Sequence, residues 1–103
     1  MASPVVLINL FTVAELDIPA LMAAWEKDAT WMKQQPGFLS TQLHRAIGGS
    51  CMFMNYTRWD SVDDFRAAFS HPDFVGALAA YPSSAVAQPH LFGRVAVPNL
   101  RAA

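Results

Sequence analysis

Two runs of alternating character, Phe38–Ile47 and Cys51–Trp59, flank the dipeptide Gly48–Gly49, and this commits the middle of the chain to an antiparallel hairpin. With a two-residue turn at the glycines, Ile47 stands opposite Ser50. Counting back then sets Ala46 opposite Cys51, His44 opposite Phe53, Gln42 opposite Asn55, Ser40 opposite Thr57 and Phe38 opposite Trp59. One face gathers Gln42, His44, Phe53, Asn55, Thr57 and Trp59. Packing alone asks for neither a carboxamide nor an indole N–H, so this face is the candidate pocket wall. The opposite face carries Leu39, Leu43, Met52, Met54 and Tyr56 and is apolar enough to be buried as well. Such a sheet is expected to have helices on one side and a second subunit on the other.

The rest of the chain fits around that hairpin. Pro4–Val13 is rich in β-branched residues and reads as a buried strand interrupted by Asn9. A buried carboxamide needs partners for as many as four hydrogen bonds, so Asn9 either ties down backbone or faces a ligand. Asp17 and Pro19 open a helix whose apolar stripe is Ile18, Leu21, Met22, Trp25, Ala29 and Met32, and Pro36–Gly37 ends it. Trp31 falls off that stripe and is expected at a subunit contact. Asp60 or Ser61 caps a second helix from about Val62, with Val62, Phe65, Ala68 and Phe69 facing inward, and Ser70-His71-Pro72 restarts a helical stretch to about Tyr81. Pro82–Pro89 reads as a flap-like loop, and His90–Val97 as a last strand. Strand, helix, strand, strand, helix, strand is the order of the α+β ferredoxin-like fold, a split βαβ with an antiparallel sheet and helices on one face.

The 103 residues make one domain, with a core over about 4–97 and a mobile tail over 98–103. Hydrophobic residues are 53% of the chain and charged ones 15%, which points to apolar surface covered in a homo-oligomer. Seven basic and eight acidic residues are scattered, so neither nucleic acid nor an anionic membrane is an expected partner. Cys51 is the one cysteine and reads as a small buried hydrophobe, which fits a reducing compartment. No apolar run approaches the roughly 20 residues that span a bilayer, and a soluble cytoplasmic protein is expected. His71 and His90 have no partner at metal-ligand spacing, and no GxGxxG, phosphate-binding loop or Ser-His-Asp signature occurs. No metal and no cofactor are expected. His44, whose imidazole would titrate near neutral pH, is a candidate general base.

The segments WMKQQPGFLS (Trp31–Ser40) and above all NYTRWDS (Asn55–Ser61), set in this order of strands and helices, resemble the antibiotic biosynthesis monooxygenase family of dimeric α+β barrels. Within it the chain is most similar to the cofactor-independent anthrone oxygenases. The resemblance implies that Asn9, Asn55 and Trp59 are catalytic and line the pocket. Some relatives carry a tyrosine where this chain has Phe65, and an arginine further along. Here Arg66 is followed by no arginine until Arg94. Gln42, His44, Phe53, Thr57 and Phe65 are the expected substrate-binding residues.

What the resemblance implies is a homodimeric monooxygenase that oxidises an aromatic polyketide-type anthrone or hydroquinone to a quinone with O2. Asparagine amides would stabilise the enolate, and the carbanion would reduce oxygen directly. Two other functions remain open at the level of sequence. A haem-degrading monooxygenase of the same fold would need a histidine ligand near Gly76–Leu78, where none stands. A non-catalytic dimeric barrel would bind a small apolar ligand.

Overall fold

The computed structural model describes residues 3–99. Its central strand β1, Val5–Thr12, pairs antiparallel with β3, Met52–Trp59, on one side and with β4, Val86–Gly93, on the other. Strand β2, Phe38–Arg45, completes a four-stranded sheet in the order β2-β3-β1-β4. Helices α1 (Ile18–Met32), α2 (Val62–Phe69) and α3 (Pro72–Ala77) cover one face, which is the split-βαβ arrangement that the alternation predicts. Two buried clusters join the layers. Val5, Met32, Trp59 and Ala68 meet at one end of the sheet, and Phe11, Val13, Leu21 and Phe53 at the other. No helix among the described residues is long and apolar enough to cross a membrane.

The caps follow the sequence closely. The Ser61 hydroxyl accepts from the Asp64 N–H at 3.1 Å and donates to the Asp64 carboxylate at 3.0 Å, a reciprocal cap of α2. His71 Nδ1 accepts from the Asp73 N–H at 3.0 Å at the head of α3. Asp17 precedes α1 but makes no cap with its side chain. Its carboxylate instead accepts from the Ser84 hydroxyl at 2.6 Å. The same hydroxyl accepts from the Ala14 N–H at 3.1 Å, so the segment before β4 is tethered to the start of α1.

The hairpin departs from the two-residue turn. The Ala46 N–H donates to the Met52 carbonyl at 2.9 Å, and the connection runs through both glycines, each at positive φ, to Cys51. Arg45 Nε donates to the Ser50 carbonyl at 2.7 Å and stiffens the wider turn. The register therefore slips by one: Leu43 stands opposite Asn55, Thr41 opposite Thr57, Gln42 opposite Tyr56 and His44 opposite Met54. Because side chains alternate, that slip exchanges the two faces of β2. Thr41 and Leu43 face the helices, while Gln42 and His44 lie exposed on the outer face and form no part of the pocket wall. A bulge between Phe38 and Ser40 takes up the extra residue and restores Phe38 opposite Trp59.

Three further expectations shift. The buried line of α1 is Leu21, Ala24, Asp28 and Met32, and Met22 is exposed; a carboxylate inside the line hid it from an apolar count. Trp31 packs on α3 of its own chain, with ring centroids 5.1 Å from His71 and 6.3 Å from Phe74, rather than on a free face. Strand β4 begins at Val86, so the loop shrinks to 82–85, and Pro89 is tolerated because β4 is an edge strand. Of the tail expected over 98–103, residues 100–103 lie outside the described residues.

On the outer face, Val6, Ile8 and Leu10 of β1 adjoin Met52, Met54 and Tyr56 of β3 and Val86 and Phe92 of β4. No helix among the described residues covers them. Leu10 is 40% exposed and Phe92 50%. Leu43, expected on this face, packs instead with the Phe11 cluster.

Candidate active site

Between the two buried clusters the layers separate around a cavity of about 360 Å³. The sheet supplies its floor through Leu7, Asn9, Phe11, Thr41, Asn55 and Thr57. Trp25, Asp28 and Met32 of α1 form one wall, Phe69 and Phe74 of α2 and α3 another, and Tyr81, Pro82 and Ser83 the rim. A largely apolar and aromatic cleft with few polar groups is the usual form of a small-molecule site.

The polar groups fall on two sides. On the floor Asn9 and Asn55 are direct cross-strand partners, so both amides rise toward the helices at the same level of the sheet. The Asn55 side-chain oxygen accepts from the Thr41 hydroxyl at 2.9 Å and from the Thr57 hydroxyl at 3.2 Å, and the two hydroxyls are 2.9 Å apart. With its oxygen held, Asn55 presents its N–H groups to a ligand. The Asn9 side-chain oxygen is buried without a hydrogen-bond partner among the described residues. An orphan acceptor of this kind calls for a donor from whatever occupies the cavity.

On the helix side stands Asp28, 9% exposed, with Oδ2 buried and without a hydrogen-bond partner among the described residues. Desolvation raises its pKa above the ordinary carboxylate value, while hydrogen bonding with the Tyr81 phenol and the charge of Lys27 hold the rise back. The Tyr81 hydroxyl is pushed up in turn by its own burial and by Asp28, and stays protonated at any working pH. Sequence reasoning missed both. Asp28 sits in the polar stretch Glu26-Lys27-Asp28, which reads as a solvated face, yet its place seven residues after Leu21 and four before Met32 put it on the buried line.

Of the expected site residues, Asn9, Asn55 and Thr57 come together at the cavity. Trp59 does not reach it. Its indole is fully buried, edge-on to Phe38 at 5.6 Å and to Phe65 and Phe69 at 6.3 and 6.4 Å, and its N–H has no partner among the described residues. Phe65 packs behind it, and Phe53 stacks on Phe11 at 5.8 Å beyond the other end of the cavity. These three shape the site through Phe38, Phe69 and Phe11, which do line it. Gln42 and His44 are on the far side of the sheet, so His44 cannot serve as base in this cavity. Among the described residues no three His, Cys, Asp or Glu side chains converge as metal ligands.

The profile of the antibiotic biosynthesis monooxygenase family matches residues 4–80. Among solved structures, SnoaB, a cofactor-independent oxygenase from Streptomyces nogalater, superposes with a TM-score of 0.83 at 24% identity over 96% of this chain and 100% of that one. A candidate monooxygenase from Shewanella loihica PV-4 is 34% identical over 94% of this chain and 99% of its own, with a TM-score of 0.78. Rv0793 from Mycobacterium tuberculosis shares the fold at 16% identity, over 94% of this chain and 100% of that one, with a TM-score of 0.78. No curated protein matches the sequence significantly.

Proposed function

The chain belongs to the antibiotic biosynthesis monooxygenase family, and from that premise we propose that it is a cofactor-independent monooxygenase, oxidising a polyketide-type anthrone or hydroquinone to its quinone with O2. The observation that carries this reading is the Asn9–Asn55 pair on the floor of an aromatic cavity. An anthrone C–H is acidic because its electron pair delocalises onto the ring carbonyl oxygen. Amide N–H groups fixed beside that oxygen favour the enolate over the neutral ketone, as an oxyanion hole does. The enolate gives one electron to O2, and the substrate radical and superoxide combine into a peroxide. Loss of water from the peroxide leaves the quinone carbonyl. The aromatic walls formed by Trp25, Phe69 and Phe74 place the rings and keep water away.

The same proposal includes a homodimer closed through the apolar outer face of the sheet, which the chain's own helices leave open. A cytoplasmic location accords with Cys51, a free and half-buried thiol that suits a reducing compartment.

The test is oxygen consumption by purified, chelator-treated protein given 1,8-dihydroxyanthrone, with quinone followed by absorbance. Equal uptake of O2 and release of quinone is the expected result. Turnover that starts only on addition of flavin or haem would overturn it.

A further inference from the structure

We propose that Asp28 is the general base of this oxygenase and takes the reactive proton of the substrate onto Oδ2, with Tyr81 as the residue that positions its carboxylate. This rests on the oxygenase reading above and adds the group that reading lacks. Two amides can stabilise an enolate, but neither can accept the proton whose loss creates it.

The cavity supplies one carboxylate for that purpose, on the wall facing the amides. Asp28 Oδ2 is buried in an otherwise apolar wall and has no hydrogen-bond partner among the described residues, a costly arrangement for folding alone. Packing has no use for it, since an apolar side chain at this point of the buried line Leu21–Ala24–Asp28–Met32 would fill the space without the penalty. The surroundings suit a base. Among the described residues lining the cavity from the sheet, α1, α2, α3 and the 82–85 segment, Asp28 and Tyr81 alone are ionisable, and Lys27, the preceding residue on α1, acts on the carboxylate from outside. Burial raises the carboxyl above its ordinary range and so makes the carboxylate a stronger base, while Tyr81 and Lys27 hold that rise back.

In the step itself the substrate C–H bond, or the O–H bond of a hydroquinone, breaks and an O–H bond forms on Asp28. The electron pair stays with the substrate and spreads onto the oxygen that faces Asn55. Tyr81, which lines the same cavity, remains protonated throughout and favours the carboxylate form of Asp28.

The experiment compares wild type, Asp28→Asn and Tyr81→Phe with 1,8-dihydroxyanthrone across a pH series, following kcat/KM by oxygen uptake and folding by thermal melting. Wild type should show an acid limb, rising with pH as Asp28 ionises. Asp28→Asn should fold and yet lose about 100-fold or more at neutral pH, the usual contribution of a positioned base. It should recover at alkaline pH, where solvent ionises the substrate. Tyr81→Phe removes an interaction that favours the carboxylate, so its acid limb should move to higher pH, a shift that a purely structural tyrosine would not cause. If Asp28→Asn matches wild type within threefold with the limb intact, or if Tyr81→Phe leaves the limb in place, the assignment falls while the oxygenase reading stands. Wild type inert at every pH would overturn both.

Discussion

The hydroxyl of Thr41 holds the side-chain oxygen of Asn55 at 2.9 Å, and with it the direction in which the Asn55 N–H groups point. Asn55→Ala removes the donor and should lower kcat by about 100-fold or more, with folding intact. Thr41→Val leaves the donor but takes away the shorter of the two hydroxyl contacts that orient it, the Thr57 contact remaining. The loss of one hydrogen bond is worth about 1 kcal/mol, so steady-state oxygen uptake should fall by roughly fivefold for this variant. Equal rates in all three proteins would make the amide a structural group.

Trp59 gives the opposite expectation. Because its indole ends short of the cavity, Trp59→Phe should keep turnover within a few-fold of wild type. Trp59→Ala, by contrast, empties the centre of a cluster containing Val5, Met32 and Ala68 and should cost about 3–5 kcal/mol in denaturant unfolding. A catalytic indole would reverse the pattern, with Trp59→Phe stable and inactive.

Asp28 also sets the sign of one pH effect on stability. Its pKa in the folded protein lies above the ordinary value of 3.8. From pH about 4 up to the folded value, the native state holds more protons than the unfolded one, and stability falls as pH rises. Thermal melts of Asp28→Asn over the same window should lack this decline, and the variant should equal or exceed wild type in stability at neutral pH. A wild-type melting temperature that rose through that window relative to Asp28→Asn would contradict the burial of the charge.

Assembly is testable through the outer face. Met54 stands on it between Leu10 of β1 and His44 of β2. Met54→Lys would place an unpaired cation in a subunit interface, where loss of a dimer is expected. Light scattering should give twice the chain mass for wild type at micromolar concentration and the chain mass for the variant. Wild type that scatters as a monomer would remove the dimer.

The order of elements was legible because each carries its own local signal. A β-branched apolar run marks β1 and alternation marks β3, Ser61 and His71 cap α2 and α3, and Gly37 closes the connection out of α1 at a φ of +83°. The register of β2 was not legible, because two adjacent glycines fit a two-residue turn as well as the longer connection that Arg45 and Ser50 stabilise. Nor does sharing a face mean sharing a site. Asn55 and Trp59 do point the same way, but four residues of strand span about 13 Å, enough to carry Trp59 past the end of the cavity. Asp28 stayed hidden because sequence patterns record polarity and not what surrounds it. Its neighbour at the cavity rim, Tyr81, is brought there only by the tertiary fold.

The bulge between Phe38 and Ser40 gives β2 two different parities along its length, one matched to Trp59 and the other to Asn55. The loss of a codon should therefore be tolerated at the bulge and damaging beyond it. Deleting Leu39, the extra residue of the bulge, would leave Phe38 against Trp59, Ser40 against Arg58 and Thr41 against Thr57 in an unbroken ladder, whereas deleting Gln42 would carry Thr41 away from the Asn55 face; residues 47–49, which turn in solvent, can change in length without moving either. Among homologues, gaps should accordingly gather in the hairpin tip and at the bulge, and be purged from Thr41–Arg45.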